Sequence, residues 1–355
     1  MSYPPISVPR PAWSTEMLTR SSPGERAKTA SLLGPRTPDG PILDPARTFT
    51  ELRGSPALRP PLPGCGATAA RWATFAEWAR ADPALGRLGE GHADAVAILA
   101  EAGRDPVPGA LYGVWAARSG GTGAELVDIG GHLAIRGTIR FCSGAHLLDR
   151  ALVVTLDATG SQIVDLPLAH PGVRRLEGTW QSCGMRASDS IDVQFCDVPA
   201  PADRWVGQRG FYTERIGFWW GGAGVAACWF GAAAGVLDDI HAVLHQIDPD
   251  QHQRALLGQL TSELAAADAL LIRTAEMIDT EPAATHRTAA WTTRSAVERC
   301  CRSVLEVTPR LVGVAALTRR PGLEQRLSDL NVYLRQHHGE RDLAALGTAV
   351  LERRR

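Results

Sequence analysis

The sequence predicts an α+β protein in which a short helical part precedes an antiparallel β domain and a four-helix bundle follows it. Apolar residues recur at helix spacing from residue 69 to about 103, and six short runs rich in Val, Ile and aromatic residues lie between residues 107 and 200. From about residue 210 to the end, four long segments are helical again. Packing a sheet domain against a helix bundle buries the apolar faces of both.

The first predicted region is a Pro-rich arm over residues 1–68. It is rich in Pro, Gly, Ser and Arg, and its apolar residues show no steady periodicity. Both features are typical of an extended or mobile segment. A reduced helical part follows over residues 69–106, where Trp72, Phe75 and Trp78 recur at helix spacing. Gly103 suits the C-terminal cap of that helical part.

Residues 107–205 are predicted to form the β domain. The six runs are broken by Gly, Asp and Pro, and they read LYGVWAA, HLAIRGTIRFC, ALVVTLD, SQIVDLPL, GTWQ and IDVQFCDV. The string Gly120-Gly121-Thr122-Gly123 follows the first of them. It is either a loop that approaches the phosphate of a ligand or merely a turn.

Residues 206–355 are predicted to form the bundle, with helical segments at 211–246, 250–279, 284–310 and 322–352. The stretch from Phe218 to Leu237 contains 20 residues without a charge, which is long enough to cross a bilayer. It consists largely of Gly and Ala, and small residues allow helices to approach closely. We therefore predict a buried core helix rather than a membrane span.

Composition excludes several classes of function. The 37 Lys and Arg residues balance 38 Asp and Glu residues, so the net charge of -1 provides no general positive field for a nucleic acid. Lys28 is the only lysine, which excludes a Walker loop, a protein kinase and a Schiff-base enzyme. The 7 cysteines include no C-x-x-C pair, and no signal peptide is apparent. These features predict a cytoplasmic protein with reduced thiols and no membrane partner.

A metal site is weakly indicated. His241 and His245 lie four residues apart on a predicted helix, one turn after Asp238. No second carboxylate–histidine pair occurs on another helix, so we interpret these histidines as surface residues and predict no metal. A metal-binding helical protein is kept as the weakest alternative.

Two segments of the β domain resemble motifs of the acyl-CoA dehydrogenase family of flavoproteins. RGTIRFCSGA, residues 136–145, resembles the family's G-x-K-x-(W/F)-(I/C)-(S/T)-x-(G/A) segment. WQSCGMRASDSIDVQFCDVP, residues 180–199, resembles G-M-R-x-(S/T)-x-S-x-D-(V/L)-x-F-x-D-V-x-V-P. The order of helices, β domain and bundle is also similar. The resemblance covers about residues 85–350 and implies an acyl-CoA dehydrogenase-like fold with a truncated N-terminal helical part.

The resemblance implies that FAD lies between the β domain and the bundle. The strand around Trp115 and Ala117 corresponds to the one that follows the pyrimidine edge of the flavin. Phe141 would lie against the isoalloxazine ring, and Ser143 would reach its N5 side. An aromatic face and one hydroxyl suit a flat ring in a dry pocket.

Two further positions would contact FAD from the bundle. Arg254 begins RALLG, which resembles the family's R-x-x-(F/L)-G, whose arginine binds the FAD pyrophosphate of a neighbouring subunit. This implies a homodimer or homotetramer. Gly313 lies in RLVGV, at the place of the family's Q-x-x-G-G loop, which contacts the adenine half.

The expected proton-handling residue is a histidine rather than the family's glutamate. An ungapped count from Asp329 places His337 where that glutamate stands, and an alternative alignment restores Glu340 as the base. Histidine serves as a general base near neutral pH. Oxygen-using flavin enzymes of the same fold place a histidine in this region, so the substitution favours oxygenation without deciding it.

The leading hypothesis is an FAD-dependent oxidoreductase of acyl-CoA dehydrogenase type that acts on an acyl thioester or a specialised metabolite. The first alternative is a flavin-dependent monooxygenase of the same fold. The second is a degenerate, flavin-free scaffold subunit. The scaffold hypothesis rests on three departures from the family pattern, in which Ala117 replaces a threonine, Arg310 a glutamine and Val314 a glycine.

Overall fold

The computed structural model describes residues 44–352. Residues 1–43 of the predicted arm lie outside the described residues. The helices are α1 Pro45–Glu51, α2 Thr68–Ala81, α3 Pro83–Glu101, α4 Phe211–Glu214, α5 Gly217–Leu244, α6 Gln251–Thr280, α7 Arg287–Arg319, α8 Pro321–Tyr333 and α9 Glu340–Glu352. The strands are β1 Tyr112–Trp115, β2 Gly123–Ile129, β3 His132–Cys142, β4 Arg150–Asp157, β5 Gly160–Pro167, β6 Val173–Leu176, β7 Ile191–Pro199 and β8 Trp205–Val206. The predicted order of helical part, β domain and bundle is confirmed.

The described part of the predicted arm is ordered by α1, which corrects the expectation for residues 44–68. Asp44 caps this helix by accepting a hydrogen bond from the backbone N–H of Arg47 at 3.0 Å, and Pro45 fits the first helical position. Phe49, Leu52 and Leu58 are all buried in the main core. Burial of these side chains holds the segment against α3.

The predicted helical part consists of two helices, because Asp82 and Pro83 interrupt it. The Asp82 carboxylate accepts from the backbone N–H groups of Ala84 and Leu85 at 2.7 and 3.2 Å. Pro83 then starts α3 at the position where its missing N–H costs nothing. The helix ends at Glu101, and Gly103 follows with φ +69°, as its predicted capping role requires.

The β domain is one sheet with the strand order β6-β7-β3-β2-β4-β5-β8, in which β1 also pairs with β4. Two pairings are parallel, because β1 and β2 each run parallel to β4 and pair with successive stretches of it. All other pairings, including that of β4 with β5, are antiparallel. Five of the six predicted runs are strands. GTWQ is not, because it lies in a loop where the Trp180 indole N–H donates to the carbonyl of Gly184. The sequence prediction missed β2, β6 and the two-residue β8.

Helix α5 is the core of the bundle, as predicted. Both α5 and α6 are long and apolar enough to cross a membrane by length and composition, but 83% of the most apolar window of α5 is buried inside the protein. Its glycines let neighbouring backbone approach closely. A Cβ on Gly231 would lie 2.1 Å from the carbonyl oxygen of Ala76 on α2, and one on Gly235 would lie 2.7 Å from that of Arg80.

The last predicted helical segment is two helices, α8 and α9. They are separated by residues 334–339, which form a short 3-10 turn and then extended backbone at His337. Helix α7 is itself interrupted at Gly313, whose φ of 71° and ψ of 169° are not helical. The turn at 334–339 brings polar side chains to the junction between the bundle and the β domain.

We expect Gly231→Ala to destabilise the protein by about 2 kcal/mol or more, because the added methyl group collides with the backbone of α2. The matched control is Gly222→Ala on the same helix, where the nearest atom to the added Cβ lies 3.9 Å away. The control gains up to about 1 kcal/mol of helix propensity. Chemical unfolding of both variants tests the close approach, and equal stabilities would contradict it.

Candidate functional site

A cavity of about 480 Å³ lies where α3, β1, α5, α7 and the segment after α8 meet. Val114 contributes the β-domain wall, and Trp291 contributes part of the bundle wall. Its polar or charged lining residues are Arg87, Glu90, Asp94, Arg215, Arg294, Gln336, His338, Arg341 and Asp342. The cavity therefore combines titratable groups with an apolar surface, as small-molecule sites do.

Aromatic side chains form one wall of this cavity. Their rings meet edge to face, with centroids 5.5 Å apart for Tyr212 and Phe218, 5.2 Å for Phe218 and Trp219, and 4.8 Å for Trp219 and Trp291. Trp219 thus faces the cavity, whereas Trp220 is buried and its indole N–H donates to the carbonyl of Ala284. Such a wall binds flat or apolar groups.

The end of the cavity nearest α3 carries a carboxyl group with an unusual pKa. Burial raises the pKa of Glu90 to about 7, although the Arg87 guanidinium contacts it at 2.8 Å and opposes the shift. The charge of Asp94 raises the pKa of Glu90 further. Arg215 balances this end, with Nη1 lying 3.0 Å from Glu101 and Nη2 lying 3.7 Å from Asp94.

His338 stands at the opposite wall of the cavity. Its Nδ1 lies 3.3 Å from Oδ1 of Asp342, and its backbone N–H donates to Oδ2 of the same carboxylate. These are its only side-chain partners within residues 44–352. The side chain is 53% exposed, so its Nε2 is accessible to a ligand. A histidine oriented by a carboxylate is an arrangement suited to proton transfer.

The two residues predicted to handle protons do not line this cavity. His337 is 7% exposed, its Nε2 lies 3.1 Å from the Ser295 hydroxyl and its Nδ1 accepts from the backbone N–H of Gly339. Burial lowers the pKa of His337, which favours the neutral ring. Glu340 is exposed at the start of α9. Of the two adjacent histidines, His338 lines the cavity and His337 does not. The catalytic roles of His337 and Glu340 stay predictions.

Arg294 holds the 334–339 segment in place. Its guanidinium donates to the backbone carbonyls of Gly222 on α5 and Gln336, the latter at 3.0 Å. It also stacks over the Trp229 ring, 4.8 Å from the centroid. The sequence around Arg294 gave no signal for this role, because the contact joins segments far apart in the chain.

Of the two predicted flavin contacts, Ser143 directly follows β3 and lies beside this cavity, and Phe141 lies near the end of the strand. A small recess lined by Ser143 shares Arg87, Gly91 and Val114 with the cavity wall. Phe141 is 52% exposed, unusual for a phenylalanine, and the edge of the Trp180 ring lies against it, with 6.3 Å between centroids. Trp115 is buried and its indole N–H fixes Ser143 by donating to its carbonyl at 3.1 Å.

A chain of hydroxyl groups orients Ser143. The Ser188 hydroxyl must donate to the carbonyl of Met185 at 2.7 Å, because a carbonyl only accepts. Ser188 then accepts from Ser190 at 2.7 Å, and Ser190 in turn accepts from Ser143 at 2.9 Å. Each hydroxyl has one hydrogen, so the remaining capacity of Ser143 is that of an acceptor.

The other predicted cofactor residues lie away from the cavity. Ala117 follows β1 and is half-buried. Arg254 lies on the surface of α6, where it pairs with Asp248 at 2.8 Å, and Gly313 is exposed at the break in α7. The Gln253 side chain donates to the carbonyl of Leu311, so Arg254 and Gly313 lie at the same end of the bundle. The contacts of Arg254 with the pyrophosphate of a neighbouring subunit and of Gly313 with the adenine half stay predictions.

The metal-binding alternative finds no support in residues 44–352, where no three His, Cys, Asp or Glu side chains are grouped to hold a metal. His241 and His245 are neighbours, with ring centroids 6.3 Å apart. Asp238, the third member of the motif, instead accepts two hydrogen bonds from Arg80, at 2.6 and 2.7 Å.

Comparison with known proteins identifies the fold. No protein-family model and no curated protein matches the chain. KijD3 in complex with FMN and a dTDP-linked amino-keto sugar is similar, with a TM-score of 0.73, 19% identity and coverage of 97% of this chain and 95% of KijD3. FMN-bound TdsC, the dibenzothiophene monooxygenase of Paenibacillus sp. A11-2, gives a TM-score of 0.69 at 18% identity, covering 87% and 96%.

A glutaryl-CoA dehydrogenase from Mycobacterium smegmatis in complex with FADH2 is also similar, with a TM-score of 0.76 at 16% identity, covering 93% of this chain and 95% of the dehydrogenase. The chain therefore has the acyl-CoA dehydrogenase fold, as the sequence motifs predicted.

We expect the stability advantage of Glu90→Gln over the wild type to grow from pH 5 to pH 7.5. The folded state holds a proton on Glu90 up to a pKa of about 7, whereas the unfolded chain releases it near 4.5. Between these values the folded wild type binds more protons, so its stability falls as the pH rises. Glutamine cannot ionise, so the variant does not lose stability in this way as the pH rises.

Thermal unfolding of both proteins at a series of pH values measures the difference, with Glu340→Gln as an exposed control. An advantage that shrinks as the pH rises would show that Arg87 stabilises the ionised carboxylate more than burial disfavours it.

Proposed function

We propose that this protein is a flavin-dependent oxidoreductase of the monooxygenase type that acts on a compact small molecule. The observation that carries the proposal is the pairing of the exposed Phe141 ring, two residues before the Ser143 hydroxyl, with a cavity lined by His338, which Asp342 holds. The first supplies a place for a redox group, and the second supplies a proton carrier.

The residues fit a flavin ring. Phe141 offers an apolar aromatic face, and Ser143 offers one polar contact from an otherwise buried position. The solved relatives carry FMN in KijD3 and TdsC, and FADH2 in the glutaryl-CoA dehydrogenase. A bound flavin supplies the electrons and, with molecular oxygen, the oxygen atom for such a reaction. The flavin-free scaffold hypothesis leaves the exposed Phe141 without a purpose.

The acceptor character of Ser143 favours one redox form of the cofactor. The N5 atom of a reduced flavin carries a hydrogen, whereas the N5 atom of an oxidised flavin only accepts. If Ser143 contacts N5, as the family resemblance implies, the hydroxyl chain through Ser190 and Ser188 supports binding of the reduced form.

The proton-handling groups favour oxygenation over desaturation of an acyl thioester. The glutamate expected as the base of a dehydrogenase, Glu340, does not line the cavity. The carboxylates that do line it are already engaged, Glu90 by Arg87, Asp94 by Arg215 and Asp342 by His338. His338 instead lines the cavity, and Asp342 contacts its Nδ1. In the proposed reaction His338 exchanges a proton with the substrate, while Arg294 keeps the segment in place and the aromatic wall excludes water.

We expect His338→Ala to lower the rate at which oxygen reoxidises the protein-bound reduced flavin by about tenfold or more, because the positioned proton carrier is lost. Flavin affinity should stay within about twofold, since the imidazole contacts the cavity rather than Phe141. Stopped-flow absorbance measures the rate, and Glu340→Ala is the matched control. A loss confined to Glu340→Ala would restore the dehydrogenase hypothesis.

We expect Ser190→Ala to reduce the preference for reduced over oxidised flavin roughly three- to tenfold, because Ser143 then regains a hydrogen that it can donate to N5. Anaerobic and aerobic flavin titrations followed by fluorescence give both dissociation constants. Ser262→Ala, on the exposed face of α6, is the control. An unchanged ratio would remove Ser143 as the N5 contact.

A further inference from the structure

The glycine loop, residues 119–123, joins β1 to β2 and is not used by the reaction described above. A tight turn closes it, with the backbone N–H and the hydroxyl of Thr122 both donating to the carbonyl of Ser119, at 3.2 and 2.7 Å. Gly120 and Gly121 have φ values of 62° and 78° and are exposed. Successive exposed amides in such a turn form a concave surface that suits an anion.

Two arginine side chains extend over this loop. Nη1 of Arg140 lies 3.0 Å from the place that a Cβ on Gly120 would occupy. The Arg118 guanidinium lies 2.9 Å from the corresponding place on Gly123. A side chain at either glycine would displace a guanidinium, so the glycines allow the two cations to approach the backbone.

These cations are weakly compensated. Within residues 44–352, no carboxylate oxygen lies within 4 Å of the Arg118 guanidinium, whose hydrogen bond to the carbonyl of Ala124 is long at 3.4 Å. The nearest carboxylate to Arg140 is Asp192, at 3.8 Å. By contrast, Arg136 on the same strand pairs with Asp197 at 2.7 Å. The loop therefore presents positive charge that its own neighbours leave available.

A β-bulge places one of these cations beside the ring surface. Between Ile139 and Cys142, β3 has one more residue than the facing stretch of β7. Ile139 and Cys142 are both buried, so the two residues between them, Arg140 and Phe141, both lie on the outer side. In a regular strand their side chains would point to opposite faces.

We propose that Arg118, Arg140 and the amides of the glycine loop bind the terminal phosphate of FMN. This assignment rests on the proposed flavin-dependent function and specifies its cofactor. Guanidinium groups bind phosphate oxygens through paired hydrogen bonds. A terminal phosphate carries about two negative charges near neutral pH, which two arginines match. Each phosphate of the FAD diphosphate carries only about one.

The test is a fluorescence titration of the purified chain with FMN, FAD and riboflavin, which lacks the phosphate. We expect FMN to bind about tenfold or more tightly than riboflavin, and more tightly than FAD. Arg118→Ala and Arg140→Ala should each weaken FMN about tenfold and leave riboflavin unchanged. Arg136→Ala is the matched control, because it removes an exposed arginine of β3 that is already paired.

The outcomes separate the two proposals. If the wild type binds none of the three flavins, both the proposed function and the phosphate site are overturned. If it binds FMN but the double variant Arg118→Ala/Arg140→Ala binds FMN equally well, only the phosphate site is overturned. Tighter binding of FAD than of FMN would also overturn it. Circular dichroism of each variant tests whether a loss of FMN affinity comes from a loss of folded structure.

Discussion

The close approach of α5 to α2 and α3 is the constraint on which the rest of the molecule depends. Gly231 and Gly235 let the backbone of α2 come so near that a methyl group would collide with it. Toward the start of α5, Gly217 and Gly221 leave the same kind of space, but carboxylates of α3 fill it. A Cβ on Gly221 would lie 2.7 Å from Asp94, and one on Gly217 would lie 2.6 Å from Glu101. One helix face thus passes from apolar packing to a buried charge cluster.

That charge cluster determines the character of the cavity. Taking Glu90 out of water is costly, and the charges of Arg87 and Arg71 offset only part of that cost, which explains why the pKa of Glu90 is raised. Helix α5 also reaches the opposite wall, since the Gly222 carbonyl anchors Arg294, which holds the segment bearing His338. The same helix therefore positions titratable groups at both ends of the cavity.

The sequence predicted the fold well because its signals are local or repeated. The strand HLAIRGTIRFC was predicted with its observed bounds, and the Gly- and Ala-rich helix was correctly assigned to the core. Two errors, the single helix predicted from residue 69 and the unstructured arm up to residue 68, have the same cause. Asp82-Pro83 and Asp44-Pro45 each start a helix, and the apolar periodicity did not reveal these starts. The β2 run, GAELVDI, was missed because glycine and two acidic residues interrupt its apolar pattern.

The site was predicted less well because its geometry depends on contacts between distant segments. Counting residues reached the turn at 334–339 but could not distinguish the environments of its two histidines. Trp229 and Ser295 pack against the buried His337, whereas His338 lines the cavity. The hydroxyl chain behind Ser143 likewise needs two segments more than 40 residues apart in sequence.

The bulge in β3 determines on which side of the sheet two neighbouring side chains lie. One extra residue turns Arg140 to the same side as Phe141, and the left-handed φ of 61° at Phe141 is the strain that this arrangement stores. A regular strand would leave either the ring surface or the cation on the inner face, where an unpaired guanidinium is not tolerated. The bulge is therefore the feature on which the proposed phosphate site depends, because it turns the cation and the aromatic ring of β3 to the same side.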